Sequence, residues 1–209
     1  MMSNFAINAK LAKSSKKMNH AGKTISENAI KSEWQEILAA KKNPSFFKPI
    51  YERYYLQIFR FIYKRVASES LAADICSQVF TKAIQNLDKY QFKGVPYSAF
   101  LYRVASNEIT SHFRKTQKNR IVSFEDAQLH IITDEMEKNI SQHSTAELLR
   151  ALDELPLLKM QMIEMRYFEK RSFREIAEIL EITESNAKVK TYRILEKLKK
   201  IIVANKNME

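Results

Sequence analysis

Apolar residues recur every three to four positions along most of the chain, and that period predicts a succession of amphipathic helices. Order is expected to begin at SEWQEILAAKK, where Ser32 and Gln35 form a capping box and Trp34, Ile37 and Leu38 make one stripe; Asn43-Pro44 ends this helix. From Ser45, the positions Phe46 or Phe47, Ile50, Tyr54, Ile58, Phe61 or Ile62, and Val66 predict a long helix with Pro49 in its first turn. Leu71, Ile75, Val79, Ala83 and Leu87 repeat every four residues and predict the next, with Asp74, Gln78, Lys82 and Gln85 facing away. Another runs from Pro96 to about Lys118 through Val104 and Ile109.

The period then lapses. Residues 119–143 mix β-branched residues with acids and read as a linker. It returns at STAELLRALDEL, with Ser144 or Thr145 as N-cap, breaks at Leu155-Pro156, and resumes through LLKMQMIEMRYFEK and SFREIAEIL. A last helix runs from Glu184 to about Val203. The expectation is an all-α chain of two small helical domains, 32–118 and 144–209, joined by a flexible linker, the second ending in a helix-turn-helix. Residues 1–31, rich in Ser, Asn and Lys, read as a disordered basic tail.

Composition sharpens this picture. Two glycines and four prolines in 209 residues leave little turn chemistry for sheets, while 45% hydrophobic residues supply real cores. The single cysteine, Cys76, forms no intrachain disulfide, and the four histidines lack metal-ligand spacing, so metal, redox and cofactor readings fall away. No nucleophile, base and orienter group appears, and no phosphate loop, which leaves an enzyme reading without support. No apolar run approaches bilayer length, so the expectation is a cytoplasmic protein without membrane insertion.

Net charge is +11, distributed as +5 over residues 1–31, +7 over 32–118, −3 over 119–143 and +2 over 144–209. Two basic blocks flanking an acidic connector suggest a polyanionic partner, nucleic acid ahead of membrane. In the last helix Ala187, Ile194, Leu198 and Ile201 share one line and face the core. Ser185, Val189, Tyr192 and Arg193 point outward near its N-terminal end, flanked by Asn186, Lys188 and Lys190. Residues 185–200 carry six bases against one acid, whereas 172–184 carry four acids against Arg174. Cations concentrated on the second helix suit a recognition helix in a major groove. Thr183 is its expected cap, and Glu181 stands at the turn position usually given to glycine.

The stretch FKGVPYSAFLYR holds Gly94 and, with Tyr90, places five aromatics in thirteen residues among Lys89, Lys93 and Arg103. It is either a corner capped by its own small core or a surface built to hold something flat.

Two blocks resemble one family. IYERYYLQIFRFIYKRVASESLAADICSQVFTKAI and FKGVPYSAFLYRVASNEITSHFRK resemble regions 2.1–2.4 of the bacterial sigma-70 superfamily, extracytoplasmic-function group. LLRALDELPLLKMQMIEMRYFEKRSFREIAEILEITESNAKVKTYRILEKLK resembles its region 4. Departures are Phe100 where tryptophan is common, Gln78 where glutamate is common, Ser111 where an acid is common, Thr191 in place of an apolar residue, and Glu181. The resemblance implies a dissociable subunit of RNA polymerase that recognises −10 and −35 promoter elements and opens the duplex. Asp74, Gln78 and Lys82 would contact core polymerase. Lys89, Tyr90, Phe92, Lys93, Gly94, Tyr97, Asn107, Ser111, Arg114 and Lys115 would hold the melted −10 strand, with rings stacking on bases and cations on phosphates. Arg171, Arg174, Thr183, Ser185, Asn186, Lys188, Val189, Lys190, Tyr192 and Arg193 would engage the −35 duplex. The linker would thread toward the polymerase cleft, and the family implies an anti-sigma partner. The alternative is a helix-turn-helix repressor whose first domain binds ligand or dimerises; a protein-binding helical adaptor would not explain the charge asymmetry of the last helix.

Overall fold

The computed structural model describes residues 26–116, Ile132 and residues 145–206, which are helical with short connections and contain no strand. Apart from Ile132, which is fully buried, the predicted linker and the tail as far as residue 25 lie outside the described residues, as does the candidate cap Ser144. Helix α1 spans Glu27–Lys42. It starts six residues before the predicted start, because Ser26 rather than Ser32 caps it, its hydroxyl accepting from the Ala29 N–H at 3.3 Å. Asn43 ends α1 in extended conformation and starts the 3₁₀ turn Pro44–Phe47, its side chain accepting from Ser45 N at 3.0 Å.

Helix α2, Lys48–Val66, carries Pro49 in its first turn as expected. Helix α3, Glu69–Gln85, is capped by the Ser68 hydroxyl, and α4 covers Tyr97–Thr116. These three pack on one another around Ile50, Ile58, Ile62, Val79, Ala83, Leu101 and Ile109, all nearly inaccessible to solvent. Cys76 is in this core; burial pushes its thiol up to about 12, so it stays protonated and unreactive.

The second half comprises α5, Thr145–Asp153, and α6, Leu157–Ile163, which runs into a π-helical turn at Glu164–Phe168; then come α7, Phe173–Leu180, and α8, Glu184–Lys206. Ser172 and Glu175 form a complete capping box on α7. A chain with two glycines must find its left-handed corners elsewhere, and Ala67, Lys170 and Glu181 take them at φ 50°, 52° and 55°. Glu181 therefore does hold the turn position that glycine usually occupies, at a backbone cost of about 1–2 kcal/mol that the packed helices on either side offset.

The two halves touch. Helix α7 lies against α4, and a buried ion pair joins α2 to the π-helical turn. Arg65, 1% exposed, pairs with Glu164 at 2.5 Å, donates to the Phe61 carbonyl at 2.6 Å, and lies over the Phe61 ring.

Candidate nucleic-acid interface

The corner between α3 and α4 is built largely from α1. Glu33 sits on the core-facing line of that helix with Ile37 and Ala40, although it is charged. One of its carboxylate oxygens accepts from the Tyr97 N–H at 2.7 Å and so caps α4; the other accepts from the Tyr54 hydroxyl and lies 3.5 Å from Arg53. Lys41, from the last turn of α1, donates to the carbonyls of Asp88 at 3.1 Å and Tyr90 at 2.6 Å. Trp34 stacks on Phe92 with ring centres 5.4 Å apart and planes 29° apart. Sequence reasoning gave none of these three a role at the corner. The available signal was a carboxylate on a buried helical line, which needs a partner to be tolerated.

Two of the three rings expected to catch bases are not available. Tyr90 and Tyr97 are 7% and 1% exposed, packed edge to face with centres 4.8 Å apart, and Tyr97 also meets Phe47 at 6.0 Å. Burial raises both phenols above their ordinary value. With Phe47 and Phe100 they form the small aromatic core beneath the corner. Phe92 alone remains on the surface, 41% exposed, between exposed Lys89 and Lys93. Along α4, Asn107, Arg114 and Lys115 are exposed and Ser111 is half-buried. Gly94 has φ 67°, and a Cβ there would collide with the guanidinium of Arg174, which donates to the Lys93 carbonyl at 3.2 Å. The close approach permitted by glycine is thus taken up by an arginine of the other half.

The same corner holds a cleft of about 460 Å³, lined by Lys82, Asn86, Lys89, Lys93, Arg103, Asn107 and Glu108 from the first half and closed by Glu178 and Glu181 of the second. Arg103 pairs with both acids, at 3.3 and 3.2 Å. Lys82 turns into this cleft and pairs with Glu108 at 2.5 Å, which separates it from Asp74 and Gln78, exposed further along α3.

In the second half Thr183 caps α8 as expected, its hydroxyl accepting from Asn186 N at 3.2 Å. Ser185, Asn186, Lys188, Val189, Lys190, Tyr192 and Arg193 are all exposed, Val189 and Tyr192 by 46% and 43%. Thr191 is fully buried, its hydroxyl bonded to the Ala187 carbonyl at 2.8 Å, which lets it replace an apolar residue without an orphaned oxygen. Arg171 corrects the expectation of a phosphate contact. It is 6% exposed, bonded to Ser98 at 3.2 Å and Glu175 at 2.8 Å, with its guanidinium 4.1 Å from the centre of the Tyr102 ring. Burial would lower its pKa, but Tyr102, Glu175 and Glu169 outweigh this and hold it above the ordinary value. Arg174 is exposed, yet its bond to Lys93 ties it to the first half.

Among the described residues no group of His, Cys, Asp and Glu could hold a metal ion, and no helix is long and apolar enough to cross a membrane. The family described as Sigma-70 region 2 matches residues 50–119, and the family described as Sigma-70, region 4 matches residues 145–198. The ECF RNA polymerase sigma factor BldN of Streptomyces coelicolor is 23% identical over 158 residues, 75% of this chain and 60% of that protein. The ECF RNA polymerase sigma factor SigM of Bacillus subtilis is 24% identical over 151 residues, 72% of this chain and 91% of that protein. The solved structure of CnrH in complex with the cytosolic domain of CnrY shares the fold with a TM-score of 0.53 at 18% identity, covering 82% of this chain and 97% of that one.

Proposed function

The chain belongs to the extracytoplasmic-function group of the sigma-70 family of RNA polymerase sigma factors, and from that premise we propose a division of labour between its halves. Residues 32–118, extended back to Glu27, bind core polymerase and capture the opened −10 strand; residues 144–209 read the −35 duplex. The observation that carries this reading is the pairing of two surfaces on separate halves: an exposed ring flanked by the exposed Lys89 and Lys93, and a recognition helix with its polar and basic residues exposed.

Opening a duplex without nucleotide hydrolysis requires that unpaired bases be held by binding energy. Stacking on an aromatic side chain is worth about 1–3 kcal/mol per base, comparable to the cost of unstacking one. Phe92 supplies the ring, and Lys89, Lys93, Asn107, Arg114 and Lys115 supply phosphate and polar contacts. On α8, Ser185, Asn186, Lys188, Val189, Tyr192 and Arg193 reach base edges and backbone, with Lys190 alongside. Asp74 and Gln78 form the polymerase-contacting face of α3; Lys82 acts in the cleft instead. With Arg171 and Arg174 held by the first half, the two halves must part before both promoter elements are engaged. A protein that binds the closed form would keep it inactive, and an anti-sigma partner is the class expected; the related CnrH is known in complex with CnrY.

Run-off transcription with purified core polymerase on fragmented genomic DNA tests the reading. Discrete starts that require the added chain are expected, and their absence would overturn it.

A further inference from the structure

Helix α1 lies outside the span that matches region 2, which begins at residue 50, yet it builds the corner. A phenyl ring on a loop, 41% exposed and unsupported, would sample many orientations and lose much of its stacking energy when a base fixed it. Phe92 is not unsupported. The Trp34 indole covers its inner face, and the Lys41 ammonium lies 5.5 Å from the centre of that indole while holding the Asp88 and Tyr90 carbonyls of the same loop. Ring and loop are therefore anchored by the same helix.

We propose that Trp34 is a positioning residue for strand capture: with Phe92 it forms a preorganised two-ring platform, and an unpaired base of the separated promoter strand becomes the third layer, on the outer face of Phe92. The proposal rests on the sigma-factor reading above, including the stacking of a base on Phe92, and adds one positioning residue to it. The ligand is a base rather than a phosphate, because the outward element is a π-face; the cation nearest Trp34 is already committed to backbone carbonyls.

The test uses the full chain with core polymerase on a promoter found by run-off, together with a template series in which each nucleotide of the melted segment is made abasic in turn. Trp34→Leu keeps apolar bulk and Trp34→Phe keeps a ring; thermal unfolding confirms that each is folded. Trp34→Leu should lower transcript yield on the intact template by about ten-fold, the scale of one lost base stack. Trp34→Phe should stay close to the unsubstituted chain. On the one template that lacks the captured base, the unsubstituted chain and Trp34→Leu should give equal yields, and Phe92→Ala should single out the same position. A loss of the same size on every abasic template means that Trp34 only stabilises the fold, and it overturns the proposal, as does full activity of Trp34→Leu on the intact template. Absence of transcripts with the unsubstituted chain overturns the sigma-factor reading, and this proposal with it; transcripts without positional coupling overturn the proposal alone.

Discussion

A single carboxylate decides whether the corner can exist. Glu33 satisfies the first N–H of α4 and the Tyr54 hydroxyl inside the core, where an unpaired polar group costs about 1–3 kcal/mol each. Replacing Glu33 with Ala should therefore lower stability by about 3 kcal/mol, whereas Glu33→Gln, which keeps an acceptor for Tyr97, should lose less than half as much; urea unfolding measures both. Equal losses would mean that the negative charge, not the acceptor, matters. This residue also marks where reading the sequence runs short. Helical period locates a ring or a carboxylate on a face, but not whether that face meets another helix or water. Tyr90 and Tyr97 looked like Phe92 in one dimension, and packing against Trp34 and Phe47, distant in sequence, buried the first two while the third stays 41% exposed.

At the level of elements, period and caps were legible because they are local: the stripes on α2, α3 and α8, the Thr183 cap and the left-handed Glu181 need only neighbours in sequence. The start of α1 was misplaced because Ser26 and Ser32 are both competent caps, and local chemistry does not choose between them. The turn at Glu181 invites a direct measurement. Glu181→Gly removes a left-handed side chain worth about 1–2 kcal/mol of strain and gives up an ion pair to Arg103 that is 69% exposed on the glutamate side. Exposed pairs contribute little, so the variant should gain up to about 1 kcal/mol in thermal unfolding. A fall in melting temperature would show that the pair outweighs the strain.

For the whole molecule, the junction of the halves is what local reasoning could not reach. Its charges belong to both sides: Arg65 to Glu164, Arg103 to Glu178 and Glu181, Arg171 to Ser98, Arg174 to the Lys93 carbonyl. Arg65 Nε and Arg171 Nε are buried without a hydrogen-bond partner among the described residues. An interface this polar resembles a transient one, able to part. Glu164→Lys leaves Arg65 facing a like charge, a change expected to cost about 3–5 kcal/mol at a buried pair. The helices of each half also pack on one another, so the cost should appear as separation rather than unfolding. Small-angle scattering should report a larger radius of gyration with helicity unchanged by circular dichroism, and an unaltered radius would sink the closed arrangement.

Trp34 is the chain's one tryptophan, and it stands at the corner. Excited at the red edge of protein absorption, the molecule on its own emits from that point alone. Any event that reorders Phe92, Lys41 or the loop changes its colour or brightness, while the recognition helix is spectrally silent. The protein thus carries an intrinsic optical reporter at the place where a strand is expected to part from its partner, and no label needs to be attached to watch it.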